Sequence, residues 1–431
     1  MNPTKTKLLQ IIGLLYITIP TILVISSNTR FAPVSIYTLG QVFAVLGLSL
    51  ICLQPFLSSR IKPIESGVGH DRLMRWHATI GKSAFTLLIL HPIFILAPSL
   101  SVISVGRLIA SLNFYHRLGS VALFLLIFTV ILAIYSEKLK LKYETWRTLH
   151  KLVYVVIILG FIHSYFLGSN INSSDPVFYW WLFAGFVATT GIVNRYIVRK
   201  YTTYKIFKIK HETSNVISIY VKPLAGKVLK HYPGQFAFTI FESKSLPREE
   251  HHFTISSAPN GKYIRFSIKA SGDYTSAIGK LKVGDKVQID GPYGSFTNSN
   301  LEEPVVFIAG GIGITPVMAM LESINTQETK PKCALIYANK TKNEIAFYDQ
   351  IIHFTQLKWL KSIFVLSEEK LKGFKNGRID QALLSQTLKG IKTKATIFLV
   401  GPPPMMESIE NQLKEIGIHK SQIHTEKFSL K

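Results

Sequence analysis

Four histidines fall into two pairs inside hydrophobic stretches. His77 and His91 lie 14 residues apart in RWHATIGKSAFTLLILHPIF, and His150 and His163 lie 13 apart in TWRTLHKLVYVVIILGFIHS. An imidazole at membrane depth is costly, and where it occurs it usually serves function. One pair alone would read as core histidines satisfied by their neighbours. Two pairs on separate spans point to two stacked metal centres, each clamped between two helices. Haem iron takes axial histidine readily. Two bis-histidine haems stacked this way would carry electrons through a membrane.

The elements that hold these residues must be helices. A rise of about 1.5 Å per residue sets the members of each pair roughly 20 Å apart, inside the ~30 Å hydrocarbon core. Fourteen residues at about 100° each return to within roughly 40° of the starting face, but thirteen leave about 140° of mismatch. A bend or local distortion is therefore expected in the second pair's helix, near Gly160. Phe85, midway between His77 and His91, either sits between the two centres or simply packs.

Six apolar spans are expected, at about 8–27, 38–57, 77–97, 116–136, 147–168 and 177–198. Each is near the ~20 residues a spanning helix needs. The first resembles a signal peptide, with Lys5 and Lys7 ahead of an apolar run. No small-x-small cleavage site follows and more spans come after, so it is read as a helix. Lys and Arg placement sets the orientation. With the N-terminus inside, the inner loops hold Arg60, Lys62, Arg72, Arg75, Lys138, Lys140, Lys142, Arg147, Arg195, Arg199 and Lys200, and the outer loops only Arg30, Arg107 and Arg117. His77 then pairs with His150 near the inner face, and His91 with His163 near the outer face. The second half of the chain is cytoplasmic.

The net charge is +24. The first 200 residues hold 18 Lys and Arg against 5 Asp and Glu, which the inside rule explains, and the rest holds 31 against 20. Nucleic acid is therefore not the partner, whereas membrane lipid is. Cys52 and Cys333 lie in unlike environments, so neither a disulfide nor a cysteine metal site is expected.

Residues 201–300 read as a small β-barrel, with strands at VISIYV, GQFAFTIF, YIRFSIKA and KVQIDGPYG. Two loops between them carry chemistry. The first is His251-His252-Phe253-Thr254-Ile255-Ser256-Ser257, and the second runs from Ile268 through Lys269, Gly272, Asp273 and Tyr274 to Thr275. A flavin needs a hydrogen bond near its N5 edge, which Thr254 can supply. It also needs a diphosphate clamp, which Lys269, the Gly272 backbone and Thr275 can supply. Either loop alone could equally be an ordinary barrel turn. Residues 301–431 alternate strand and helix. In PVVFIAGGIGITP an apolar strand meets a glycine turn and a helix start, where Gly310, Gly311 and Gly313, then Thr315 and Pro316, suit a diphosphate. Further strands at CALIYAN, SIFVLS and TIFLVG follow, the last ending in Gly401-Pro402-Pro403-Pro404-Met405. A parallel sheet binds ligands at the carboxyl ends of its strands, which gathers the Gly310 turn, Tyr337–Lys340 and Gly401–Met405 around one crevice.

With these residues in view, the chain resembles the ferric reductase and NADPH oxidase superfamily, and its compact prokaryotic NADPH oxidases most. The two histidine pairs resemble that family's third and fifth helices. HHFTISSAP is similar to its HPFT-type flavin loop, IKASGDYT to its flavin-phosphate loop and AGGIGITP to its nicotinamide-cofactor loop. Phe428, in Glu426-Lys427-Phe428, resembles the terminal aromatic that covers the flavin. Two positions depart from the pattern. His252 replaces the proline of HPFT, and Val400 stands where many relatives carry cysteine. No EF-hand loop precedes the membrane part.

The resemblance implies a six-helix transmembrane di-haem bundle (1–200), a ferredoxin-NADP reductase-like FAD-binding β-barrel (201–300) and an NAD(P)H-binding α/β domain (301–431). It implies FAD, bound by His251, Phe253, Thr254, Lys269, Gly272, Tyr274 and Thr275 and covered by Phe428, with Thr254 and Phe428 nearest the chemistry. It implies two b haems on His77, His91, His150 and His163. NADPH or NADH would be the donor, held by Gly310, Gly311, Gly313, Thr315, Pro316, Gly401 and Pro402, and the membrane would be a bacterial plasma membrane. Arg72, Arg75, Lys82, Arg147 and Lys151 are inner candidates for haem propionates, and Arg30, His116 and Arg117 outer ones. Oxygen is the expected acceptor, giving superoxide, because Asp175 is the sole acid in the outer loops and a ferric ion favours an acidic surface. A ferric chelate would need no such surface, so a metal reductase stays open. Two further alternatives are a transporter with a nucleotide-binding tail, its histidines relaying protons, and a haem anchor passing electrons to a partner protein. No obligatory protein partner is evident. Lys340 and Lys342 could meet a 2′-phosphate or be surface lysines.

Overall fold

The computed structural model describes residues 3–29, 35–100, 111–136, 138–141, 143–169, 171, 175–297 and 304–426. Arg30, Arg107, Lys142 and Phe428 lie outside the described residues. The chain divides into two compact units, Met1–Val198 and Arg199–Lys431.

The first unit is helical: α1 (Pro3–Thr29), α2 (Ile36–Leu57), α3 (Lys62–Val68), α4 (His70–Leu100), α5 (Phe114–Tyr135), α6 (Tyr143–His150), α7 (Val153–Leu167) and α8 (Pro176–Val193), ending in a π-helical turn at Asn194–Val198. Six stretches among the described residues are long and apolar enough to cross a membrane, as expected. Their starts are chemically marked. The Ser35 and Thr38 hydroxyls form a capping box on α2. Asn113 accepts from the Tyr115 and His116 amides at the start of α5. Asp175 accepts from the Val177 amide ahead of Pro176 and from the Ser27 hydroxyl on α1. The expected outer acid is thus held in a helix cap.

Large apolar side chains face outward, Phe124 being 67% exposed and Phe186 66%. Such a surface suits lipid rather than water. Inside, polar groups close on one another. The Tyr16 hydroxyl donates to the Ser49 carbonyl and the Trp180 indole to the Ser49 hydroxyl, joining α1, α2 and α8. Gly40 and Gly47 on α2 let α4 approach, since a Cβ at either would lie 2.9 Å from Ile95 or 2.7 Å from Leu88. Phe85 packs against the buried apolar core of the helical unit.

One expectation is corrected. The distortion in the fifth span is not at Gly160 but at Lys151–Leu152, which separates α6 from α7. Lys151 donates to the Thr148 carbonyl and Leu152 to the Leu149 carbonyl, so the chain tightens to i→i+3 bonding just after His150. Each residue wound at three per turn adds about 20°, which moves His150 toward the face of His163. Gly160 instead serves packing, because a Cβ there would meet Leu48 at 3.3 Å.

The second unit begins with a six-stranded antiparallel sheet of β1 (Thr202–Thr213), β2 (Val216–Pro223), β3 (Phe236–Glu242), β4 (Glu250–Thr254), β5 (Ile264–Lys269) and β6 (Lys286–Tyr293), in the order β4-β3-β6-β1-β2-β5. The edge strands meet where Ile255 bridges Phe266 and the Ser256 amide donates to the Arg265 carbonyl, which closes the barrel. A short helix, α9 (Asp273–Ala277), follows β5. The His251–Thr254 segment, expected as a loop, is strand β4 paired to β3. His252 sits opposite Phe238 in that pairing, and its ring packs on Phe236 and Phe238.

The α/β part holds a parallel sheet of β7 (Val305–Gly310), β8 (Cys333–Asn339), β9 (Leu360–Leu366), β10 (Lys375–Asn376), β11 (Thr396–Val400) and β12 (Ile423–Glu426), with helices α10 (Ile314–Asn325), α11 (Tyr348–Gln356), α12 (Gln381–Thr387) and α13 (Pro403–Glu415). The order β10-β9-β8-β7-β11-β12 reverses direction between β7 and β11. β7, β8 and β11 are almost wholly buried, as expected of strands covered on both faces.

Candidate functional site: two histidine levels and a nucleotide crevice

α4 carries His77 and His91 on one continuous helix. The imidazole of His77 faces that of His150 with ring centroids 6.1 Å apart, and His91 faces His163 at 6.4 Å. A metal–imidazole bond of about 2.0–2.1 Å and a ring radius of about 1.1 Å on each side put two axial imidazoles about 6.3 Å apart. Both levels therefore fit a bis-histidine metal centre such as haem.

The levels differ in how the far ring nitrogens are held. His91 Nδ1 lies 3.0 Å from the Gly40 carbonyl and His163 Nδ1 2.9 Å from the Tyr115 carbonyl. An Nδ1–H donated to a carbonyl leaves the Nε2 lone pair free for a metal. At the other level the Gln54 carbonyl faces His77 without the geometry of a hydrogen bond, and His150 Nδ1 is buried with no hydrogen-bond partner among the described residues. His150 stacks on Trp146, with centroids 5.4 Å apart. Arg195, in the π-helical turn, acts electrostatically on both His77 and His150 and reaches Ser58. The sequence marked Arg195 only as a loop cation. Of the expected propionate candidates, Arg75 pairs with Asp71 at 2.9 Å, and His116 Nδ1 lies 2.8 Å from Asn113 Oδ1.

In the barrel, Thr254 is buried at the end of β4, opposite Phe236. His251 stacks on Tyr274 at 3.7 Å, and its Nε2 lies 3.2 Å from Glu249. Burial, then the Glu249 charge, pushes the Tyr274 phenol up to about 12. Phe253 packs on the barrel core. Gly272 and Thr275 open α9, where the Thr275 hydroxyl accepts from the Ser271 and Gly272 amides. Lys269 reaches Glu344 at 3.5 Å.

Sequence reasoning missed a buried clasp between barrel and α/β part. Arg265 Nη1 lies 2.8 Å from Glu322 Oε1 on α10, and its Nε donates to the Ser256 hydroxyl. Glu322 also accepts from the Ala258 amide. The flavin-loop candidates are thereby tied to the helix that follows the glycine turn.

The glycine turns meet as expected. The reversal between β7 and β11 is where such sheets bind nucleotides. A Cβ on Gly310 would lie 2.6 Å from Met405, and one on Gly401 would lie 3.2 Å from the Gly310 amide. Gly311 has φ +53°, a conformation glycine adopts freely. Thr315 donates to the Ile312 carbonyl, and the buried Tyr337 hydroxyl donates to the Gly311 carbonyl. Pro316 and Val400 are buried. Pro402 precedes α13 and lies against Gly310. Lys340, beyond β8, pairs with Glu368 at 2.9 Å.

Three family models match this chain. Residues 43–161 match the ferric reductase like transmembrane component, 201–297 an FAD-binding domain and 307–411 an oxidoreductase NAD-binding domain. The chain has the domain architecture of the ferric reductase and NADPH oxidase superfamily. The superfamily's membrane component is matched across His77, His91 and His150, and the match ends two residues before His163. Among curated relatives, the chain is similar to a flavohemoprotein of Oceanobacillus iheyensis, 30% identical over 241 residues, covering 52% of this chain and 58% of that one. It is also similar to flavohemoprotein A of Dictyostelium discoideum, 29% identical over 235 residues, covering 50% and 57%. The chain thus spans less than two thirds of these relatives' length. A flavohemoglobin structure from Malassezia yamatoensis matches 92% of this chain and all of that one at 20% identity, with a TM-score of 0.52, a likeness of fold alone.

Proposed function

We propose that this chain takes electrons from NAD(P)H on the cytoplasmic side and delivers them across the membrane to oxygen, forming superoxide. The observation that carries the reading is the pair of histidine levels, at 6.1 and 6.4 Å, joined in one chain to flavin- and nicotinamide-binding domains. Each NAD(P)H gives up two electrons and a proton and leaves as NAD(P)+, and two oxygen molecules each gain one electron. When bound, FAD accepts the electron pair and releases it singly, and two haems relay single electrons between the faces.

The protein's part is to hold and orient. His77 with His150, and His91 with His163, would hold the two haem irons. Thr254 would hold the flavin's reacting edge by a hydrogen bond, with Lys269, Gly272 and Thr275 at its diphosphate. His251 and Phe253 would brace the β4 edge against Tyr274 and the core. The turns at Gly310–Pro316 and Gly401–Pro402 would cradle the nicotinamide cofactor's phosphates. Lys and Arg placement supports a cytoplasmic second unit. The capped state of Asp175 supports oxygen over a free ferric cation, since that acid already serves two hydrogen bonds.

The test is absorbance spectroscopy of purified, flavin-loaded protein given NADH or NADPH with and without oxygen. Haem bands that reduce without oxygen and reoxidise in air, with superoxide-dismutase-sensitive cytochrome c reduction, are expected. Slow reoxidation in air but fast reoxidation by ferric chelate would make the chain a metal reductase. Absence of haem from folded, haem-supplied protein would overturn the relay.

A further inference from the structure

The Tyr115 carbonyl that faces His163 lies inside α5, where regular helical bonding already directs the Gly119 amide to it. A carbonyl has two lone pairs and can accept twice. To reach the second, the imidazole must lie against the α5 backbone one turn on, at Gly119. A Cβ there would sit 2.5 Å from Nδ1 and 2.6 Å from Cε1 of His163. Those contacts involve the ring itself, which packing fixes, and not the end of a flexible chain. The backbone does not ask for glycine, since Gly119 is not among the positive-φ glycines. Glycine in a helix interior is less favourable than alanine. What it provides here is space.

We propose that Gly119 is a positioning residue for the outer haem. Its missing side chain opens a notch in α5, through which the His163 Nδ1–H reaches the Tyr115 carbonyl. That bond fixes the ring plane and leaves Nε2 as the ligand atom. A donated Nδ1–H also raises the basicity of the ligand nitrogen and favours ferric iron. Among the described residues, none makes such a bond to His150, the matching ligand of the inner level. The inference rests on the reading of the histidine pairs as haem ligands.

The experiment compares full-length wild type, Gly119→Ala and Gly13→Ala. Gly13 lies in α1 with nothing within 4 Å of an added Cβ, so it controls for a glycine lost from a membrane helix. Haem per chain, the low-spin ferric EPR signals and redox titrations are recorded. In Gly119→Ala, one of the two haems is expected to be lost, or retained with its own EPR signal changed and its midpoint raised, while the other keeps both. Gly13→Ala is expected to match wild type. Two unchanged haems in Gly119→Ala would overturn the proposal, as would equal changes at both. A wild type without haem would instead sink the underlying reading. If Gly119→Ala does not fold, pulsed EPR of the wild type with labelled histidine decides. A strongly hydrogen-bonded Nδ1 proton on both ligands of one haem only supports the notch, and equivalent haems overturn it.

Discussion

A side chain on Gly313 would meet the Val400 carbonyl oxygen at 2.8 Å and the Gly401 Cα at 3.1 Å. The turn after β7 therefore lies directly on the end of β11, backbone to backbone. Gly313→Ala should wedge the two turns apart and weaken NAD(P)H binding at least about tenfold, or about 1.4 kcal/mol. Stopped-flow reduction of the flavin would show a raised half-saturation with flavin content unchanged.

The facing of His91 and His163 makes their loss redundant. Replacing either by leucine should remove the same haem, and replacing both should remove no more, because two residues that serve one centre do not add. His77→Leu with His91→Leu should remove both. Haem per chain by pyridine haemochrome checks this. Unequal losses from His91→Leu and His163→Leu would break the assigned pairing.

Arg199 opens the second unit with a buried charge network. Its Nη2 lies 2.7 Å from Glu250, and its Nε lies 2.8 Å from Asp290, off the line a hydrogen bond needs. The Tyr201 and Tyr293 hydroxyls donate to the same two acids. Arg199→Met removes a buried guanidinium from between two buried carboxylates and should destabilise the unit by about 3–5 kcal/mol. Adding Glu250→Gln and Asp290→Asn should return part of that loss. Thermal unfolding followed by flavin fluorescence reads both.

Tyr274 gives a pH dependence of known sign. Its phenol is held up to about 12 against an ordinary 10.0, chiefly by burial. The folded state thus keeps a proton that the unfolded chain releases. The associated stability is full below pH 10 and is lost between about pH 10 and 12. Tyr274→Phe should lessen the fall in melting temperature across that window, to which Tyr204, Tyr263 and Tyr337 also contribute, and leave the neutral-pH slope alone.

The histidine pairing was legible because charge placement gave the direction of each helix and spacing gave the level. The break at Lys151–Leu152 was not. Neither residue is a helix breaker, and the phase error it relieves showed only that some distortion must exist. Gly160 drew attention as the local glycine, yet it answers to Leu48 on a neighbouring helix. The acceptors at Gly40 and Tyr115 are backbone carbonyls, which no residue letter announces. Gly119 was visible as a glycine in an apolar span, but its purpose depends on a ring 44 residues away. The Arg265–Glu322 ion pair joins residues 57 apart on two different folds of chain, beyond any local pattern. The segment HHFT carries no clear alternation of apolar and polar residues, and its strand pairing to β3 is a long-range contact that no local pattern announces.

Gly40 and Gln54 are 14 residues apart on α2, and their carbonyls face His91 and His77, also 14 apart on the antiparallel α4. The helix acts as a gauge bar cut to the spacing of the two levels. A single-residue insertion or deletion between Gly40 and Gln54 would take at least one ring off its carbonyl, whichever end of the bar stayed in place. Only a matched change on both helices would keep the two levels in gauge, so the lengths of these two segments are free to vary together but not apart.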